Sequence, residues 1–300
     1  MQPRLFYCRI YNHKMRHQDK LKKVIKYFNT AESKWGYTTL LKGTKHFGYY
    51  PKGKERISML KAQRLMEDKL AEKLDLSASS LVLDAGSGEG NVAINLAKKY
   101  NLRIYGVDLL DFAVSKAISK SKEFNLQNIV KFKLGDYTNL DFPNQTFDGI
   151  YTMETLVHVP DYKKALKEFY RVLKPNGKLV LFEYSMSSRK NLTAKELETI
   201  DIMDMINDES GMHSLKHFLH GKFPQILKNA GFEKVRVSNI TFHIMPMLKI
   251  FYLIAYIPYV FIKFLGMQRK FINATAGVEL YKNIRSGDFW RYNIISAVKK

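Results

Sequence analysis

Cysteine is nearly absent from this chain: Cys8 is the only one in 300 residues. A single thiol excludes a disulfide-stapled secreted scaffold and suits a reducing compartment. Negative charge is also scarce, with 28 Asp and Glu against 49 Lys and Arg, a formal net charge of +21. An imbalance of that size calls for an anionic partner, and nucleic acid and anionic membrane are the two usual ones. No internal repeat or low-complexity linker is visible, which argues against solenoid and array architectures. Arg4 and Arg9 interrupt the apolar residues from which a secretory h-region would have to be built, so the expectation is a protein that is not secreted. No metal-ligand cluster and no Cys/Ser–His nucleophile pair stands out, and no metal is expected. What is present suffices for a real core: 46% of residues are hydrophobic, and the length suits one large α/β domain with a substantial insertion.

The most informative stretch is residues 81–98. Leu81, Val82 and Leu83 form a short apolar run, as in a strand buried on both faces of a parallel sheet. Gly86, Gly88 and Gly90 then recur every second residue, and Val92, Ala93, Leu96 and Ala97 follow at helical spacing. Glycines are needed where the backbone turns sharply and a ligand approaches a place that any Cβ would fill. The dinucleotide fingerprint wants a third glycine where this chain has Asn91. That substitution, with Asp84 just ahead of the loop, points away from NAD and toward S-adenosylmethionine. Further strands are expected at 103–108, 129–134, 149–152, 178–183, 234–237 and 292–298, and helices at 58–74, 111–124, 160–173 and 223–229. The alternation predicts an α/β fold with a doubly wound, seven-stranded, mostly parallel sheet and a ligand at the carboxyl ends of its strands. Asp108, about twenty residues after the glycine loop at a strand end, is placed to accept hydrogen bonds from both ribose hydroxyls. Asp136 can take the adenine amino proton, with Tyr137 stacking on the ring.

Around this core (residues 76–240) three other regions are expected. Residues 1–75 form a helical and aromatic cap. It opens with a basic amphipathic helix carrying Leu21, Val24, Ile25 and Phe28 on one face, and continues into an aromatic loop at 35–50. That loop either closes over a ligand or plugs the lead-in helix onto the domain. The polar, acidic stretch 185–214, with Glu196, Asp201 and Asp204, emerges where the site should be and suits a lid or substrate wall. Residues 241–288 contain the apolar run 244–265, whose length approaches a membrane span. Lys249 and Lys263 interrupt it, and Pro246 and Pro258 would break a straight helix. If the sixth strand and the last strand (289–300) pair in one sheet, a single crossing would leave them on opposite sides of a bilayer. The segment must therefore return to the side it left. It is expected to be a membrane-associating helical element bent near Pro258, with a greasy lid or a dimer contact as the alternative.

On Asp84-Ala85-Gly86-Ser87-Gly88, Asp108, Gly135-Asp136, Phe147-Asp148 and Leu173-Lys174-Pro175-Asn176-Gly177, residues 35–240 resemble a class I S-adenosylmethionine-dependent methyltransferase. Within that superfamily the chain resembles the sterol 24-C-methyltransferases and related isoprenoid-lipid C-methyltransferases. The resemblance rests on Trp35-Gly36-Tyr37 with His46-Phe47-Gly48-Tyr49-Tyr50, on residues 151–160 with a Glu and a His four residues apart, and on Phe182-Glu183-Tyr184. It implies a Rossmann-like fold and S-adenosyl-L-methionine, without a metal, held by Asp84, Gly86, Ser87, Gly88, Gly90, Asp108, Leu109, Asp136, Tyr137 and Met153. It further implies a lipophilic substrate bound by Trp35, Tyr37, His46, Phe47, Tyr50 and Asp204, at the cytoplasmic face of a membrane. The expected reaction is methyl transfer to an alkene of a sterol or other isoprenoid. Aromatic faces (Tyr37, Phe47, Tyr49, Tyr50) would stabilise the resulting cation by roughly 0.5–2 kcal/mol each, or would only pack the lid. A base would then remove a proton, with Glu154, His158 and Glu183 as candidates in that order and Asp204 behind them. Methylation of a prenylated quinol or phenol is the alternative; nucleic acid is not the expected substrate.

Overall fold

A computed structural model describes residues 16–189 and 193–300; Arg4, Cys8 and Arg9 lie outside the described residues. Five strands, Leu81–Ala85 (β1), Arg103–Asp108 (β2), Val130–Leu134 (β3), Phe147–Met153 (β4) and Leu173–Met186 (β5), pair in parallel. Phe232–Asn239 (β6) and Trp290–Lys299 (β7) complete one sheet in the order β3-β2-β1-β4-β5-β7-β6, with β7 antiparallel to both neighbours. The strand order reverses between β1 and β4, and a doubly wound sheet opens its ligand crevice at the carboxyl ends beside such a reversal. The centre of the sheet is dry: Val82, Leu83, Ile150, Val180 and Leu181 are fully buried, as the unalternating apolar runs predict.

β5 begins five residues earlier than expected. The preceding helix does end at Val172, but Leu173 pairs with Phe147 before the register shifts. Asn176, in the left-handed region at φ 62°, turns the chain between the two pairings.

The cap comprises His17–Asn29 (α1), Ala31–Trp35 (α2) and Met59–Leu74 (α3). Val24 and Tyr27 are the buried residues of α1, so its inward face is rotated from the one expected, and Ile25 is only partly covered. Core helices Asn91–Tyr100 (α4), Asp111–Glu123 (α5), Tyr162–Val172 (α6) and Phe223–Asn229 fall where the spacing placed them. The acidic stretch is itself helical over Ala194–Glu209 (α7). Thr193 and Glu196 form a reciprocal capping box at its start, and Ile200, Met203 and Ile206 are buried along one side.

The apolar run is one helix, Thr241–Phe264 (α8), unbroken at Pro246 and Pro258. A second helix, Ile272–Ser286 (α9), carries the chain back to β7, which pairs with β6 in the same sheet. Tyr259 of α8 donates a short hydrogen bond to Glu279 of α9 and ties the two together. By length and composition α8 could cross a membrane.

Candidate active site

The carboxyl ends of β1, β2 and β4 form the floor of a cleft whose walls include Asp84, Gly86, Ser87, Gly88, Asp108 and Leu109. The loop demands glycine at two of its positions, Gly86 and Gly90, where φ is positive and a Cβ would collide. Gly86 has φ 94°, and a Cβ there would lie 2.5–2.7 Å from Thr155 side-chain atoms. Gly88 has φ 50° but faces open space, so its backbone can meet a ligand. The Gly88 N–H donates to Asp108 Oδ2 at 2.8 Å and the Leu110 N–H to Oδ1 at 2.9 Å. Each carboxylate oxygen retains a lone pair, so Asp108 can accept one ribose hydroxyl on each. Burial pushes its carboxyl upward, against those two N–H groups and the nearby Lys45. Asp84 is buried, with Oδ2 left without a hydrogen bond of ordinary geometry, and burial followed by the charge of Asp108 raises it to about 7. Ser87 Oγ is likewise buried without a partner. Unmatched buried acceptors beside a diol-sized carboxylate suit a ligand that carries both an amine and a ribose, as S-adenosylmethionine does.

Gly90 does not line the cleft; it starts α4 from beneath. At φ 77° its Cβ would lie 2.5 Å from Phe132 Cζ and 2.9 Å from the Ala117 Cβ. Gly90→Ala should therefore lower stability by about 2–4 kcal/mol, read as a lower urea midpoint; an unchanged midpoint would show that β3 can retreat. Asp136 also stands off the cleft wall. Its Oδ1 accepts the Thr138 N–H at 2.8 Å and its Oδ2 lies 3.3 Å from His17 Nε2, so α1 packs against it. Tyr137 and Met153 do line the cleft, and the Tyr137 hydroxyl donates to the Thr155 carbonyl at 2.7 Å.

A second cavity of about 570 Å³ adjoins the first, and the two share Tyr27, Lys45, His46, Glu154, Tyr184 and Met212. Its walls are mainly apolar side chains of α7, α8 and α9 (Met203, Ile206, Phe251, Leu280), with Phe47 and Trp290 at its inner end. Phe47 is ringed edge-on by Tyr184, Trp290 and Tyr292 at 5.6–6.5 Å.

Glu154 stands where the cavities meet, in the left-handed region at φ 62°. Three donors hold its carboxylate, and Oε2 keeps one free acceptor site. Oε1 accepts the Phe47 N–H at 2.8 Å and the Tyr292 hydroxyl at 2.6 Å, and Oε2 accepts a short bond from the Tyr184 hydroxyl. Burial nonetheless outweighs these donors and raises its carboxyl above the usual range. The other base candidates stand differently. His158 lines the cleft against Tyr27 and Phe28, and burial lowers it to about 4, so it is neutral near pH 7. Glu183 lies in the sheet beneath both cavities rather than at their mouth. Its Oε1 accepts from Thr152 Oγ1 and the Thr155 and Leu156 N–H groups, and burial raises it to about 8. Asp204, expected at the substrate, turns outward from α7 and pairs with Arg189, while Met203, Ile206 and Asn207 face the cavity.

The aromatic loop divides as well. Tyr49 lies outside both cavities, stacked on His243 with centroids 4.3 Å apart. Tyr50 is packed with Leu41, Ala62 and Met247, its hydroxyl raised to about 12 by burial. His46 touches both cavities, but its Nε2 lies 3.4 Å from buried Glu67, whose hydrogen bond and charge outweigh desolvation and hold the imidazole above its ordinary value. Of Trp35 and Tyr37 only the backbone belongs to the description, at the end of α2 and in the π-helical turn that follows. Lys45, Tyr27 and Trp290 were not anticipated as site residues. Nothing local in the sequence marks them, since they reach the site from the cap and from the last strand.

This sheet order, the diol-ready acid after β2 and the glycine turn after β1 define a nucleotide-type transferase fold. A methyltransferase domain model matches residues 83–181, and the chain belongs to the class I S-adenosylmethionine-dependent methyltransferase superfamily. It is 34% identical over 277 residues, 91% of this chain and 93% of the relative, to the S-adenosyl-L-methionine-dependent Diels-Alderase iccD of Talaromyces variabilis. It is 33% identical over 151 residues to the sterol 24-C-methyltransferase of Eremothecium gossypii, covering 50% of this chain and 40% of that enzyme. Among solved structures, the 4+2 cyclase SpnF superposes with a TM-score of 0.67 at 21% identity, covering 90% of this chain and 96% of that one. Geranyl diphosphate C-methyltransferase from Streptomyces coelicolor superposes with a TM-score of 0.66 at 14% identity, covering 94% and 98%. At those identities the superpositions establish the fold alone.

Proposed function

We propose that this protein is an S-adenosylmethionine-dependent cyclase that folds a long apolar polyene in the second cavity and accelerates an intramolecular Diels–Alder cycloaddition. The observation that carries this reading is the hold of three donors on Glu154, with burial making His158 a weak base at about 4 and Glu183 outside the cavities. A cycloaddition moves no proton: a diene and an alkene exchange two π bonds for two σ bonds, and the product is an isomer of the substrate. A relative that matches over 91% of this chain carries the same activity in its name.

When bound, S-adenosylmethionine supplies a sulfonium, which is either a methyl source or a fixed positive charge. The residues do the rest. Phe251, Met247 and Leu280 form an apolar mould that brings diene and alkene together and so lowers the entropic part of the barrier. The Lys45 ammonium lies over the Phe28 and Phe112 rings, 4.8 and 5.5 Å from their centroids, and puts a positive charge on the shared wall.

A second reading, methylation of a sterol or other isoprenoid alkene, is favoured by the aromatic faces of Phe47, Tyr184 and Trp290 at the same junction, which would stabilise a cation. There the bound cofactor would supply the methyl group for the new C–C bond, and a proton would leave to Glu154 Oε2, which keeps one free acceptor site. The test uses a linear ketone carrying a conjugated diene and a remote alkene, and a sterol with a side-chain alkene, each incubated with S-adenosylmethionine. Cyclisation predicts an isomeric product of unchanged mass and an unconsumed cofactor. A product heavier by one CH₂, with S-adenosylhomocysteine released, would replace the first reading by the second.

A further inference from the structure

α8 is apolar along most of its length, but only one side is covered. Phe251, Ala255, Pro258 and Ile262 face the second cavity, and Tyr259 faces α9. Opposite them Leu253, Ile257, Val260, Phe261 and Phe264 recur at helical spacing as one outward stripe, continued by Leu265. Ile257 is 69% exposed, Phe261 65% and Phe264 87%. A contiguous stripe of this kind on a soluble domain marks an interaction surface.

The chemistry around the stripe selects its occupant. A groove of about 430 Å³ beside Leu253 is lined by Lys249, Lys282 and Arg285 with Tyr252 and Tyr281, and holds no carboxylate. Lys263 and Lys270 flank the far end of the stripe, where α8 turns into α9. Aliphatic and phenyl groups bordered by tyrosines and cations match the layered chemistry of a bilayer surface, with acyl chains inside, phosphate and anionic headgroups outside. The whole chain carries the same sign, at +21. Ile254 both lines the cavity and is exposed beside the stripe, so the cavity wall continues into this surface.

We infer that the outward stripe of α8 inserts into the interfacial region of an anionic phospholipid leaflet, with the Lys249–Lys282–Arg285 groove holding lipid phosphate. The helix lies in the membrane plane rather than crossing it, because its opposite side is covered along its length by the cavity and α9. Docking itself needs no substrate and does not depend on which reaction the cavity supports.

The experiment is sedimentation of the full-length protein with vesicles, in the absence of substrate. With phosphatidylcholine and phosphatidylserine at roughly 3:1, the protein should pellet, and binding to phosphatidylcholine alone or at about 0.5 M salt should be weaker by tenfold or more. The triple variant Ile257→Asp, Phe261→Asp, Phe264→Asp alters only exposed side chains and should lose binding to both, with an unchanged melting curve and affinity for S-adenosylhomocysteine. Should that variant fail to fold, Lys249→Glu with Lys282→Glu and Arg285→Glu should abolish the preference for phosphatidylserine while leaving residual apolar binding. Wild-type protein that stays in the supernatant overturns the inference, as does a triple variant or charge-reversed variant that pellets like wild type. A wild-type dimer that the triple variant converts to monomers, with neither binding vesicles, would assign the stripe to a second copy instead. A failure here leaves the cyclisation assay untouched, and a failure of that assay leaves vesicle binding untouched.

Discussion

Asp108→Ala should weaken binding of S-adenosylhomocysteine by about 10²–10⁴, measured by calorimetry. Two ribose hydroxyls donating to an ionised carboxylate are each worth about 1.5–3 kcal/mol, which is 3–6 kcal/mol together. The loss is local, because the orphaned Gly88 and Leu110 N–H groups sit in the cleft, where water can reach them once the carboxylate is gone. Asp108→Asn should fall between the two, since one amide oxygen can still accept. An Asp108→Ala protein that binds within threefold of wild type would mean that the ligand's diol lies elsewhere, and the assignment of the cleft to this cofactor would fail with it.

Glu183→Gln should make the protein more stable in alkali. Burial raises the Glu183 carboxyl from 4.5 to about 8, so the folded state binds its proton more tightly than the unfolded chain does. For a group shifted in this direction, its contribution is fully present below the unfolded value near 4.5. It is then lost progressively as pH rises through that window to about 8. The full interval corresponds to about 4–5 kcal/mol, large because the side chain has no exposed surface. Glutamine keeps an acceptor for the Thr155 and Leu156 N–H groups and has no proton to lose. The stability of wild type minus that of the variant, from urea titrations, should therefore fall between pH 5 and pH 8 and level off above it. Parallel stability curves across that range would show that Glu183 is not buried as a neutral acid. Asp84, raised to about 7 by the same cause, contributes with the same sign in both proteins and cancels in the difference.

The parts of the site that could be seen in the sequence are those built within one βα step. The apolar run 81–83, the alternating glycines and Asp108 all lie within a single strand–turn–helix–strand unit, so spacing alone carries them to the cleft. The surroundings of Glu154 were legible only in part. Its position after β4 was evident, but its tyrosine partners meet there because Tyr184 and Tyr292 are opposite each other in the antiparallel β5–β7 register, a pairing across more than a hundred residues. Tyr49 looked like a cavity aromatic because its neighbours are, yet its ring is captured by His243, 194 positions away. Asp204 belonged to a stretch whose acidic composition hid a helix. Once the helix is seen, the apolar residues one and two positions from Asp204 face inward and the carboxylate must face out.

The wall common to the two cavities has a thermodynamic consequence. Tyr27 and Lys45 come from the cap, whose α1 touches α7 through Lys23 and Asp208, and Tyr27 is already tied down, its hydroxyl donating to Asn273 at 2.6 Å. A partition fixed in advance adds no ordering cost to the occupant of either cavity. Any coupling between the two occupants must then come through a shift of this wall, and it would be equal in both directions.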